Sequence, residues 1–136
     1  MIRNNYFLSL IMLTLSAVSM HAMAKQECKL PVKANPDSAK LYIQCLDSQL
    51  NKIKQIQNTW ISKQQYELSK IEEESGNTQV LALFERAIAN HHKYISSACQ
   101  WRYLLKLPNA TDAAISYKLC EIELISQFTD TIKKTI

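Results

Sequence analysis

The chain has 136 residues, with 16 Lys and Arg against 12 Asp and Glu for a formal net charge of +4, and it holds four cysteines, three prolines and one glycine. A single glycine rules out a P-loop, which needs two, and a dinucleotide phosphate loop, which needs three, and it starves hairpin turns of the positive-φ residue they use most cheaply. Composition therefore predicts an all-α fold, and an evenly mixed charge whose longest basic run is Lys133-Lys134 argues against a nucleic-acid partner.

Residues 1–24 read as a cleavable secretory signal. Arg3 supplies the positive n-region, Tyr6 to Val18 an uncharged apolar run, and Ala22-Met23-Ala24 the small-residue cleavage pattern. The run is too short and too weakly flanked for a stable membrane span, although a retained anchor helix is the competing reading. Lipidation at Cys28 is disfavoured, because Lys25, Gln26 and Glu27 stand where a lipoprotein signal needs small and apolar residues. Cleavage after Ala24 leaves residues 25–136 as one domain of 112 residues with a net charge of +3. All four cysteines lie in that part, and an even count in a small exported chain reads as two disulfides.

The segment 25–35 is irregular and carries Cys28 and Pro31. Pro36 suits a first helical turn, with Asn35 as N-cap and Asp37 placed to complement the helix dipole. Leu41, Tyr42, Cys45, Leu46, Leu50, Ile53, Ile56, Trp60, Ile61, Leu68 and Ile71 then recur at spacings of three and four with no Gly or Pro among them. This predicts one helix over 36–74, about 58 Å long, with Ser62 to Gln65 as the place where it would bend if it bends at all.

Gly76 supplies the stop, and Asn77 or Thr78 caps the next helix. That helix is expected over 78–106, burying Val80, Leu81, Phe84, Ala87, Ile88, His91, Tyr94, Ile95, Ala98, Arg102 and Leu105. Pro108 ends it. Thr111 followed by Asp112 opens a third helix over 111–134, with Ile115, Leu119, Ile122, Ile125, Phe128 and Ile132 on one face and Lys133 and Lys134 at its C-terminus. Short connections make sequential neighbours antiparallel, so the expected architecture is an antiparallel three-helix bundle stapled by two disulfides.

Geometry constrains the pairing of the cysteines. Cys99 and Cys120 lie almost equally far from the turn around Pro108 to Ala110, so they face each other across an antiparallel pair. Cys28 then joins Cys45 if the N-terminal segment folds back along the first helix, which its reach allows. Four cysteines permit three connectivities, and the nested pairing is the favoured one. Zinc fits poorly, since no C-x-x-C pair exists.

No catalytic or metal motif stands out, so no cofactor is expected. His91 and His92 point about 100° apart on a helix and cannot converge on one ion, so His91 reads as a core-stripe residue and His92 as a solvated one. Glu121 and Glu123 likewise face differently and form no dyad. The sequon Asn109-Ala110-Thr111 reads as a helix cap at Thr111. Glu72, Glu73 and Glu74 oppose the dipole at a helix C-terminus. Either the next helix N-terminus compensates them, or the turn they share with Asn77 presents an acidic tip to a basic partner. Trp60 reads as core. Trp101 falls between the stripe positions, and it either packs on the Cys28 segment or stands exposed as a binding anchor.

The order Cys28, Cys45, Leu50-Asn51, a long helix, Tyr94, Cys99 and then Cys120 resembles the LprI-type lysozyme inhibitor family of exported bacterial proteins. The resemblance covers nearly all of residues 25–136. It departs from the family's pattern at Ile88, His91, Ile95 and Ser96, where members carry Gln, Trp, Arg and Asp. What the resemblance implies is an exported, non-enzymatic protein that binds a lysozyme and blocks its cleft. The alternative class is a periplasmic structural or stress protein, such as a small helical chaperone or a toxin-immunity protein.

Overall fold

Asn35 starts the first helix through a reciprocal cap: its side-chain oxygen accepts from the Ser38 amide at 2.7 Å, and the Ser38 hydroxyl accepts from the Asn35 amide at 3.0 Å. Pro36 and Asp37 occupy the first turn, and the helix α1 runs without a break over Pro36–Ser75 in the computed structural model, which describes residues 28, 29 and 35–135. No break falls at Ser62 to Gln65. Ser62 and Lys63 face solvent while Gln64 turns into the bundle, so the polar stretch keeps the helical rhythm. The signal-peptide reading of residues 1–24 lies outside the described residues, as do 25–27 and 30–34 of the segment 25–35 expected to be irregular.

Gly76 closes α1 in the left-handed conformation at φ 69°, its amide donating to the Glu72 carbonyl at 2.9 Å. Helix α2 spans Gln79–Leu104 and helix α3 spans Ala110–Lys133, within two residues of the expected bounds. One cap falls within the expected pair and one differs from expectation. Asn77, rather than Thr78, serves α2, accepting from the Gln79 amide at 3.2 Å, and Thr78 makes no side-chain capping bond. Asn109, rather than Thr111, caps α3 by accepting from the Asp112 amide at 3.1 Å. The turn at Lys106 to Pro108 delivers Asn109 in extended geometry, so the cap falls two residues earlier.

The three helices pack together without strands among the described residues, and two disulfides staple them. Helix α3 is the shared partner, packing against both α1 and α2 far more than those two pack against each other. One core cluster draws Leu50 from α1, Ile95, Ala98 and Cys99 from α2, and Cys120, Leu124 and Ile125 from α3. The Cys99–Cys120 disulfide sits inside it with Cα atoms 5.5 Å apart. The Cys28–Cys45 disulfide, at 5.8 Å, ties the N-terminal segment to the third turn of α1. At the surface Lys54 pairs with Glu121 at 3.5 Å, Lys118 with Asp47, and Arg102 with Glu123 at 3.1 Å. Exposed pairs of this kind contribute little stability each but fix which helix levels meet.

Several expected core positions are exposed instead. Leu41 is 67% exposed, and Ile56, Ile71, Tyr94, Leu105 and Leu119 also face solvent, as does Ala87. A stripe drawn at spacings of three and four is wider than the contact a helix makes with its neighbours, so residues on its flanks stay wet. Trp60 is such a flank residue, half-buried, with the ammonium of Lys63 lying 5.0 Å from its ring centre. Ile71 is exposed for a further reason. Gln64 stands level with Thr131 and Ile132 near the end of α3, so Ile71 lies beyond that end with only α2 beside it.

Candidate functional site

The acidic tip follows from this mismatch in helix length. Glu72 lies eight residues past Gln64, about 12 Å further along the axis, so the α1–α2 turn overhangs α3. Between Lys70 and Glu85 the chain carries three carboxylates and no basic residue. Glu73 and Glu74 are exposed and Glu72 half-buried, and among the described residues none of the three enters a salt bridge or hydrogen bond through its carboxylate. The N-terminal turn of α2 therefore offers them no hydrogen bond, its first amide being held by Asn77. Asn77 is thus engaged in building the turn, and its own amide donates to Ser75 Oγ at 3.2 Å.

Lys70 is the nearest cation. Its ammonium lies 4.2 Å from the centre of the Tyr66 ring. A hydrogen bond to Tyr66 holds its pKa above the ordinary lysine value against an opposing desolvation, with lesser support from the charges of Glu67, Tyr66 and Glu74. Its salt-bridge partner is Glu67 at 3.9 Å, which leaves the three tip carboxylates outside any pair.

Trp101 belongs to the other end. It is 53% exposed, with Leu104, Leu105 and Leu107 exposed beside it at the α2–α3 turn, and the Arg102 guanidinium lies 5.7 Å from its ring centre. From Trp101 to Gln79 at the head of α2 the helix rises about 33 Å. Trp101 and Glu72 to Glu74 thus lie near opposite ends of α2, as two separate candidate surfaces.

The seams between helices are open as well. A groove of about 560 Å³ runs between α1 and α3 past Ile53, Ile56 and Ile122, and a second of about 410 Å³ lies against Tyr103 and Tyr117, whose rings meet edge to face at 6.5 Å. The two histidines do not converge, their ring centres being 6.4 Å apart, and among the described residues no group of three His, Cys, Asp or Glu is placed to hold a metal ion. His91 instead stacks on Phe128 at 4.0 Å, its Nε2 buried without a hydrogen-bond partner. Burial, reinforced by the neighbouring His92, lowers its pKa.

Gln57 and Gln64 were not expected in the interior. Both are buried, one heptad apart on the inner face of α1, and each leaves one amide atom without a partner, Nε2 of Gln57 and Oε1 of Gln64. The signal was present in the seven-residue step that continues from Leu50, where two glutamines interrupt an otherwise apolar row. No known protein family, curated protein or solved structure matches the chain. Among the described residues no helix is long and apolar enough to cross a membrane.

Proposed function

We propose that this is an exported, non-enzymatic binding protein that blocks a lysozyme or related cell-wall hydrolase by steric occlusion. The observation that carries the reading is the overhanging tip. Glu72, Glu73 and Glu74 stand beyond α3 with no ion-pair partner among the described residues, on a turn held by Gly76 and Asn77. Unpaired carboxylates on a protrusion suit the positively charged surface of a basic enzyme, where they steer encounter and fix orientation. The net charge of +4 works against a general attraction, so the attraction is local to the tip. The order of Cys28, Cys45, Cys99 and Cys120, which resembles the LprI-type inhibitors, supports the same reading, as do two disulfides typical of exported proteins.

Lysis of cell-wall substrate by lysozyme, followed with and without a large molar excess of the oxidised protein, tests this. Inhibition that weakens when the three glutamates become glutamines is the expected outcome. Full lytic activity at every ratio contradicts the reading. A second reading, a small helical chaperone or toxin-immunity protein of the periplasm, draws on the exposed Trp101, Leu104, Leu105 and Leu107. It predicts suppressed aggregation of unrelated unfolded clients, or protection against a toxin, that is lost on Trp101→Ala and unaffected at the tip.

A further inference from the structure

We infer that the α2–α3 turn is a peripheral membrane anchor that inserts Trp101, Leu104, Leu105 and Leu107 into the interface of an anionic phospholipid bilayer. Trp101, Leu104 and Leu105 follow one another at steps of three and one, so that both leucines stand three or four residues beyond the ring. Leu105 keeps helical angles, φ −62° and ψ −21°, and all three therefore share one face at the end of α2. Leu107 follows in a turn closed by its own amide, which donates to the Leu104 carbonyl at 3.2 Å. All four side chains are between 47% and 71% exposed. An apolar group gathered at one end of a bundle marks a surface that is covered in use. A bilayer interface suits it, since tryptophan settles at the headgroup level and leucines reach the acyl boundary about 5–10 Å down.

The charge around the turn selects the lipid. From residue 86 to residue 111 the chain carries Arg86, Lys93, Arg102 and Lys106 and no acid. Of the acids on neighbouring segments, Glu123 pairs with Arg102 at 3.1 Å, Asp47 pairs with Lys118, and Asp112 accepts from Asn109 Nδ2 at 2.7 Å. Asp37, in the first turn of α1, is matched by Lys40. Lys106 enters no salt bridge among the described residues, and it stands between Leu105 and Leu107. Lysine is depleted from protein–protein interfaces, whereas at a bilayer its stem lies along the apolar layer while its ammonium reaches the phosphates. A second copy of the chain fits badly, because pairing two such ends sets Lys106 against like charge. The opposite end supplies orientation. Glu72 to Glu74 lie past Gln79, itself about 33 Å from Trp101 along the helix, and an anionic surface repels them within a Debye length of about 8 Å. Lying flat brings them to that surface, so the molecule stands turn-first with the acidic tip held away. The inference does not rest on the hydrolase reading.

Co-sedimentation of the oxidised protein with vesicles of phosphatidylglycerol and phosphatidylcholine in equal parts, and of phosphatidylcholine alone, tests it with no hydrolase present. Saturable binding to the mixed vesicles that weakens with salt, and little to phosphatidylcholine alone, is expected. Leu105→Ser, at an exposed position where the fold loses little packing, should lower the partition coefficient about tenfold. Lys106→Gln should lower it about fivefold, and Lys134→Gln, the same loss of charge at the other end of the bundle, should leave it unchanged. In Trp60→Phe, which keeps Trp101 alone of the two tryptophans, bromine on the acyl chains should quench the fluorescence. No binding to the mixed vesicles, equal binding to phosphatidylcholine alone, equal effects of the two lysine variants, an unchanged Leu105→Ser, or binding without quenching overturns the proposal. So does a soluble dimer that Leu105→Ser takes apart, which gives the face to a second copy.

Discussion

His91 illustrates what a polar ring does on a core stripe: it keeps the packing, stacked on Phe128, and leaves Nε2 buried without a partner. Its folded pKa lies below the unfolded value of about 6.5, so the unfolded chain binds the proton better. Stability is therefore present at neutral pH and declines as pH falls through about 6.5 toward the folded pKa. We expect His91→Phe to gain on the wild type between about pH 7.5 and pH 5 in urea midpoints, while parallel profiles would show that the ring titrates freely. Gln57 makes a similar point with its unpartnered Nε2. Gln57→Leu should stabilise the bundle by about 1 kcal/mol in denaturant unfolding, because an apolar side chain of similar shape removes the orphan. The stripe position of His91 was legible from its spacing. The burial of Gln57 and Gln64 was not, since residue type argued for solvent and only the seven-residue row argued for the interior.

Helix boundaries were the most legible feature because their signals are local. Asn35-Pro36 starts α1 and Gly76 stops it with no reference to the rest of the chain. Gly76 sits at φ 69° with open space on the side where a Cβ would stand, so Gly76→Ala meets no clash and costs about 1 kcal/mol through backbone conformation alone. The cap of α3 was legible as a cap and misplaced by two residues. Asn109 and Thr111 are both competent, and the choice depends on how the preceding turn delivers the chain. Asn109→Ala should cost about 1 kcal/mol in thermal or urea unfolding, and Thr111→Ala close to nothing. Equal losses would return the cap to Thr111. Which flank of each stripe stays wet was not legible, because it depends on the unequal lengths of α1 and α3.

At the scale of the molecule, the pairing of the cysteines followed from antiparallel geometry, and the two ends of the bundle differ as a result. The Cys99–Cys120 disulfide stands in the core cluster beside Leu50, while the other end carries the overhanging turn. Replacing Cys99 and Cys120 together by alanine should cost about 3 kcal/mol in equilibrium unfolding. The overhang itself could be read only once helix lengths were placed side by side, although the charges on it were visible from the start. Its role is tested most directly by the association rate of a basic lysozyme with the wild type and with the Glu72→Gln, Glu73→Gln, Glu74→Gln triple variant, each at low and physiological salt. Wild-type association should be fast and slow steeply with salt, and the triple variant should associate about tenfold more slowly at low salt with a shallower dependence. No association, or identical rates and salt dependence for the two proteins, would deny the tip that role.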